Sequence, residues 1–305
     1  MSIDERFLQA DKHLNRIARQ YERELIRNYQ LALKEIRGMI ATSYERYGSD
    51  GALSFAEMQK YSRLTNLERN ISKEISKLTA TSARTLKRGM GEVFAESYYR
   101  AGYLIESEVQ ALLGFGLLNP KTIEASVLNP LDRVGFLQRN RDNQARLTRQ
   151  LREQLTQGLI QGKSYQQTAK AIKERMDVGA ANTVRIAATE MHRSMVAGRL
   201  AGFEKAESTG VKTRRAWVST LDAKTRVSHQ SMDGKYANEN NLFEFPDGAL
   251  VMGPGMHPDP AESINCRCAV RLEVVGFAPE FRRARGEGII PYTDYKSWKE
   301  ARINP

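Results

Sequence analysis

The stretch "IDERFLQADKHLNRIARQYERELI", Ile3 to Ile26, decides how this chain folds. Ile3, Phe7, Ala10, Leu14, Ile17 and Tyr21 recur at alternating steps of four and three. That period lines apolar side chains along one face of an α-helix. The stripe continues through Leu25, Tyr29, Ala32, Ile36 and Ile40, and it predicts one helix over the first 47 residues. At about 1.5 Å per residue such a helix spans on the order of 65–70 Å, more than one small domain can enclose. The expectation is an elongated helical region, with most of the stripe packed on the helices that follow.

"YGSDGALS", Tyr47 to Ser54, ends the first helix, and Ser54 followed by Glu57 forms a capping box that opens the next. Met58, Tyr61, Leu64, Leu67, Ile71, Ile75 and Leu78 keep the helical period, and the pattern runs to about Leu113 with a junction expected at the glycines of "RGMGE". Asn119-Pro120 and Asn129-Pro130 favour turns or extended links, because proline restricts the residue before it. A helix over about 137–157 comes next, then the turn "QGKS", then a helix capped by Ser164 and Gln167. A break is expected at "DVGAAN", with one more helix from about Thr183 to Ser208.

The texture changes near Gly210. "VKTRRAWVST" is rich in β-branched residues and carries a Trp, "GALVM" is a short apolar strand, and "CRCAVRLEVV" alternates before a continuous apolar run. The fold class is therefore mainly α with a small α+β C-terminal domain. Three regions are expected: an elongated helical region over 1–179, basic from about residue 133; an α+β domain over 180–275; and an extended arm over 276–305, whose aromatic side chains need a surface to pack on.

Of the formal net charge of +11, residues 133–199 hold 13 basic against 5 acidic side chains, a net of +8. A basic excess gathered in one segment suits a polyanionic partner such as nucleic acid. The DNA-contact candidates are Arg139, Arg141, Arg146, Arg149, Arg152, Lys163, Lys170, Lys173 and Arg175. A solvated basic helix surface gives the same composition, and so does a helix-turn-helix regulator. The N-terminus shows no apolar signal region, and no run of about 18 apolar residues occurs. Neither secretion nor a membrane span is expected.

The chain's two cysteines, Cys266 and Cys268, stand two apart in "INCRCAV". An i,i+2 pair makes a poor disulfide but places both thiols on one side of an extended segment. Upstream, in "STLDAKTRVSHQSMDGK", Asp222, Arg226, His229 and Asp233 follow at helical steps of four, three and four. A short helix bearing them would offer a polar face to the thiols. His229, Asp233, Cys266 and Cys268 would then make a four-donor zinc shell, with His257 of "GMHPDP" a rival fourth ligand. The other reading is two buried thiols beside a hydrogen-bonded network that fixes the loop.

The Trp-bearing strand, "TLDAKTRVSHQSMDG" and "PDPAESINCRCAV" together resemble the phage Mu F-type minor head proteins, the head-morphogenesis proteins of tailed phages. The matching elements are Asp222, Thr225-Arg226, His229, Asp233-Gly234 and Asn265 to Cys268, with Thr189-Glu190 in the helix upstream. The resemblance covers roughly residues 180–275, and His257 lies outside it. It implies a Mu F-like α+β domain whose structural cluster is Asp222, Arg226, His229, Asp233, Asn265 and Arg267, with no catalytic residue. It also implies a virion component at the portal vertex or capsid interior, assembled in the host cytoplasm. Its partners would be the portal protein and viral double-stranded DNA, with scaffolding or major capsid protein as further candidates. Some family members carry a toxin domain after this region, and the thirty residues that follow here are too few for one. The alternative is a metal-dependent hydrolase or nuclease built on His229, Asp233, Cys266 and Cys268.

Overall fold

The computed structural model describes residues 3–109, 111–116, 118–128, 135–275, 281–284 and 288–291. Three long helices dominate: α1 (Ile3–Tyr47), α3 (Arg63–Val109) and α6 (Tyr165–Glu207). Between them lie α2 (Phe55–Gln59), α4 (Pro120–Leu128) and α5 (Phe136–Ile160). The chain is mainly α, with a small α+β part toward the C-terminus. Among the described residues, no helix is long and apolar enough to cross a membrane.

The chain divides into two compact units, one comprising Gln20–Lys87 and Phe136–Ala187, the other Met1–Arg19, Arg88–Gly135 and Ala188–Pro305. The first is all helical. Ile36 and Ile40 of α1, Ile71 and Ile75 of α3, Leu151 and Leu155 of α5, and Ile172 and Met176 of α6 form its buried core. Each set follows the helical period, so four helical segments bury one face apiece. A polar knot sits inside: the Tyr29 hydroxyl lies 2.7 Å from Thr183 Oγ1, and the Asn143 amide donates to Thr183 Oγ1 and to the Gly179 carbonyl.

Both expected helix starts carry their serine cap, but only the second is a reciprocal box, since the Glu57 carboxylate turns to Lys60 and Arg63 instead. Ser54 Oγ accepts the Glu57 amide at 3.1 Å. Ser164 and Gln167 cap each other, Gln167 N donating to Ser164 Oγ at 3.3 Å and Ser164 N to Gln167 Oε1 at 3.0 Å. Ser164→Ala is expected to cost about 1 kcal/mol, the usual loss for an N-cap hydroxyl, seen as a lower denaturant midpoint at unchanged m-value.

Two expected breaks are absent, and a third falls where a non-helical link gives way to a helix. The glycines of "RGMGE" lie within continuous α3, where a Cβ on Gly91 would sit 3.4 Å from Ile123. "DVGAAN" lies within continuous α6: a Cβ on Gly179 would stand 3.1 Å from Leu147 and 3.2 Å from Tyr29, so this glycine admits neighbouring side chains to the helix. Asn119-Pro120 begins α4: the Asn119 carboxamide accepts the Lys121 amide at 2.9 Å, and Pro120 takes the first helical position, which needs no N–H. Asn129-Pro130 lies outside the described residues.

The second unit carries the small sheets. Strand β1 (Thr213–Val218) pairs antiparallel with β4 (Ala269–Val274), Trp217 opposite Val270 and Arg215 opposite Leu272. Strands β2 (Phe243–Glu244) and β3 (Leu250–Val251) form a second antiparallel pair. Two short helices, α7 (Val227–Gln230) and α8 (Pro260–Ser263), sit in the connections. The core of this unit joins Phe7 and Ala10 of α1, Leu104 and Ile105 of α3, Leu200 and Phe203 of α6, and Trp217, Val270 and Leu272 of the sheet. Within the stretch expected as an arm, β5 (Phe281–Ala284) pairs with β6 (Gly288–Pro291) as an antiparallel hairpin.

Candidate functional site

The residues from Asp222 to Asp233 do not make one helix. Only Val227–Gln230 is helical, because Asp222 is held in a turn: its carboxylate accepts the Lys224 amide at 2.9 Å and the Thr225 hydroxyl at 3.3 Å. The four polar residues therefore go to four different places. Asp222 forms a two-pronged ion pair with Arg267, one prong at 2.9 Å. Arg226 donates to the Ile264 carbonyl at 2.6 Å. The Asp233 carboxylate accepts the Ser219 amide at 2.7 Å, fixing the end of β1. His229 alone reaches the cysteines.

Residues 266–268 run extended into β4, and their burial alternates. Cys266 and Cys268 face inward at 5% and 2% exposure, while Arg267 faces out to Asp222. Asn265 opens this run at φ 58°, a left-handed conformation that asparagine tolerates. The Asn265 amide donates to Thr189 Oγ1 at 3.4 Å. The adjacent Glu190 pairs with Arg193, which donates through Nε to the Gly255 carbonyl at 2.6 Å. Thr189-Glu190, upstream by some eighty residues, thus buttresses the cysteine segment directly.

His229, Cys266 and Cys268 place one donor atom each within 4.8 Å of one another. His229 Nδ1 stands 3.2 Å from Cys268 Sγ and 3.7 Å from Cys266 Sγ. On the other side of the ring, Nε2 faces Glu262 Oε2 at 3.0 Å, a charge contact without a well-aligned hydrogen bond. The ring is walled edge-on by Trp217 at 6.0 Å and by Phe245 at 5.6 Å between centroids. These aromatic walls keep the donors dry.

The electrostatics follow from that enclosure. A hydrogen bond from Cys266, with further help from the His229 imidazole, holds the Cys268 thiol well below the ordinary thiol range. The same bond pushes the Cys266 thiol up, and burial adds to it. Burial opposes charge on His229, yet the hydrogen bond and charge of Cys268, with Glu262 behind, raise its imidazole above the usual range. One sulfur is thus disposed toward thiolate and the other retains its proton.

Two residues expected near the site lie apart from it. Asp233 is not among the clustered donors. His257 spends both ring nitrogens elsewhere, Nδ1 accepting the Asp259 amide at 3.0 Å and Nε2 facing Asp247 at 3.2 Å. Two polar groups in this unit, one of them at the site, carry no obvious sequence signal. Glu262 sits in the four-residue helix α8, and His192, a buried imidazole on α6, has Nε2 shut off from solvent without a hydrogen-bond partner.

The nine basic candidates lie on α5, α6 and the turn between them. Arg141, Arg146, Arg149 and Arg152 are exposed and lie on the face of α5 opposite its buried Asn143, Leu147, Leu151 and Leu155. Lys170 and Lys173 are exposed on α6, whereas Arg139, Lys163 and Arg175 are half-buried. Part of the basic excess is internal: Arg193 and Arg199 are buried, and Arg199 pairs with Asp11 and donates to the Val270 carbonyl.

Residues 149–271 match the family described as Phage Mu protein F like protein. The chain belongs to this Mu F-type minor head protein family, being 31% identical over 300 residues to the Minor head protein GP7 of Bacillus phage SPP1, with 96% of this chain and 97% of that protein covered. It is also 26% identical over 283 residues to a protein of Enterococcus faecalis (strain ATCC 700802 / V583) named NAD(+)--arginine ADP-ribosyltransferase EFV. That match takes in 92% of this chain but 57% of the enterococcal protein. No solved structure matches the chain.

Proposed function

We propose that this minor head protein acts in procapsid assembly at the portal vertex, and that the basic face of α5, with Lys170 and Lys173 of α6, holds it on viral double-stranded DNA. The observation that carries the reading is the near full-length match to a minor head protein, joined to an arginine face turned away from the core. Arg149 meets Glu153 at 3.9 Å and Arg152 meets Glu68 at 4.0 Å, both on the surface. Exposed pairs of that length are worth little, so the guanidinium groups stay free to exchange partners. An open cleft between α3 and α5 on the same unit offers Arg69, Lys73 and Arg152 as further phosphate donors, with Thr65, Ser72, Ser76 and the acidic Glu68 completing its lining.

Contact through phosphates alone makes binding indifferent to sequence and steeply dependent on salt. Duplex DNA of random sequence is expected to bind, with log affinity falling linearly against log salt. Replacing Arg141, Arg146, Arg149 and Arg152 together by alanine should shallow that slope by roughly 3 to 4, given a slope of about 0.9 per phosphate contact. Titration by fluorescence anisotropy at several salt concentrations reads it. An unchanged slope removes these arginines from the interface, and retention of one operator over random DNA favours a regulator instead. For the portal, co-expression followed by co-purification with the phage's portal protein is the direct measurement.

A further inference from the structure

We propose that His229, Cys266 and Cys268 bind one zinc ion, and that Glu262 positions the histidine for it. The donor set is the first argument. Two sulfurs and an imidazole, all buried and within 4.8 Å of one another, match the softness zinc prefers and suit neither magnesium nor calcium, which take oxygen.

Distance is the second argument. With Zn–S about 2.3 Å and Zn–N about 2.0–2.1 Å, a tetrahedral N···S edge measures about 3.6 Å. The two observed separations from His229 Nδ1, 3.2 and 3.7 Å, bracket that edge. The extended run through Arg267 gives the cysteines their bite, since residues two apart point the same way.

The third argument comes from the far side of the ring. Metal-ligating histidines usually donate their second N–H to a carboxylate or carbonyl, which fixes the tautomer and the ring plane. Here Glu262 Oε2 stands 3.0 Å from Nε2, near enough to receive that proton though not in line with the ring N–H, while the sulfurs lie on the Nδ1 side. Glu262 is itself steadied by the Ser228 hydroxyl at 2.7 Å. It is a positioning residue, one atom shell out from the ion. Two thiolates would neutralise the ion's charge, so the centre could sit behind Trp217 and Phe245 without an uncompensated charge. Among the described residues no fourth His, Cys, Asp or Glu joins the group. With its donors this deeply buried, the ion would serve as a staple between α7 and the segment entering β4.

The test uses the full chain, purified without chelator and dialysed. About one zinc per chain is expected by elemental analysis, and exchange with cobalt should bring thiolate-to-cobalt charge-transfer absorption and strong tetrahedral ligand-field bands. The Cys266→Ser/Cys268→Ser double variant should lose both. That variant can fail to fold, so Glu262→Gln, which keeps all three donors, provides the second reading. It should remain folded and hold zinc 10–100-fold more weakly, the usual effect of removing such an outer partner. Wild-type protein without zinc and without cobalt bands overturns the site in favour of a bare thiol–imidazole network. Zinc retained in full by a folded His229→Ala/Cys268→Ser variant overturns it by placing the ion elsewhere. Unchanged affinity in Glu262→Gln overturns the positioning role.

Discussion

Gly198→Ala is expected to destabilise the protein by about 3 kcal/mol, at the upper end of what one added methyl usually costs in a packed interior. In the unit that carries the small sheets, α6 crosses α3 so closely that a Cβ on Gly198 would lie 2.2 Å from the Phe94 carbonyl oxygen and 2.9 Å from its carbonyl carbon. Both atoms are backbone, so no rotamer change relieves the clash and the helices must separate. Gly202, one turn later, would bring its Cβ to 2.8 Å from Ala101 Cβ, so the approach extends along the crossing. The sign of the effect is diagnostic. In an open helix position, glycine to alanine stabilises by roughly 1 kcal/mol through backbone propensity. Gly38 on α1 is such a position, exposed and with nothing within 4 Å of a Cβ, so Gly38→Ala should raise the thermal midpoint. Gly198→Ala should lower it by about 5 °C, from an unfolding entropy of about 2.1 cal/mol/K per residue. Calorimetry on the two variants side by side checks both, and a stabilising Gly198→Ala would show that the helices do not cross there.

A loss of about 3 kcal/mol is also expected as pH falls from about 6.5 to about 4, traced to one buried imidazole. Burial pushes His192 down to about 4, and Arg199, Arg193 and His229 add positive charge against its protonation. Gly255 closes over the ring, where a Cβ would stand 3.1 Å from His192 Cδ2. Unfolded, this histidine takes up its proton near its ordinary value of 6.5; folded, it does so only near 4. Between the two the unfolded chain binds more protons, so stability is intact above 6.5 and drains away as pH falls. Carboxylates confuse the lower end of this window, so the telling interval is pH 6.5 to 5. Urea midpoints measured there should fall in the wild type and flatten in His192→Gln. Parallel slopes in the two proteins would assign the acid sensitivity to other groups.

The long helices were legible because their stripes extend over many turns. Tyr21, Leu25, Tyr29 and Ile36 repeat the period often enough for periodicity alone to place them, and hydroxyls at Ser54 and Ser164 mark the following starts. Glycine was ambiguous for a physical reason. The same missing side chain that permits a turn also permits close packing, so Gly91 and Gly179 read as breaks yet lie in unbroken helices. Gly198 and Gly202, four apart in "GRLAG", carried a signal for helix contact that the pattern of apolar residues overshadowed.

At the site, the pairing of His229 with two thiols could be read from the spacing of Cys266 and Cys268 and the polar helix upstream. Its regularity was misleading, because a helix of four residues does not carry a face from Asp222 to Asp233. Each of those carboxylates meets a local demand, an arginine in one case and a backbone amide in the other. Glu262 stayed hidden because its position depends on how the turn before β4 folds back over α7, a tertiary fact with no local signature. Asp259 and Pro260 gave α8 its start, but nothing in the run "PAES" says which way the glutamate points.

The unit that holds the cysteines draws its first pieces and its last from opposite ends of the chain. Phe7 meets Phe203 edge-on, and Asp11 pairs with Arg199 across 188 residues of sequence. During synthesis at about 5–20 residues per second, the ribosome delivers the second partner roughly 10–40 s after the first. Through that interval the Phe7 end of α1 has none of its final neighbours on α6, so that part of its apolar stripe stays uncovered even after Leu104 and Ile105 of α3 have been made. A chain interrupted before α6 is made is therefore expected to leave that face exposed to aggregation.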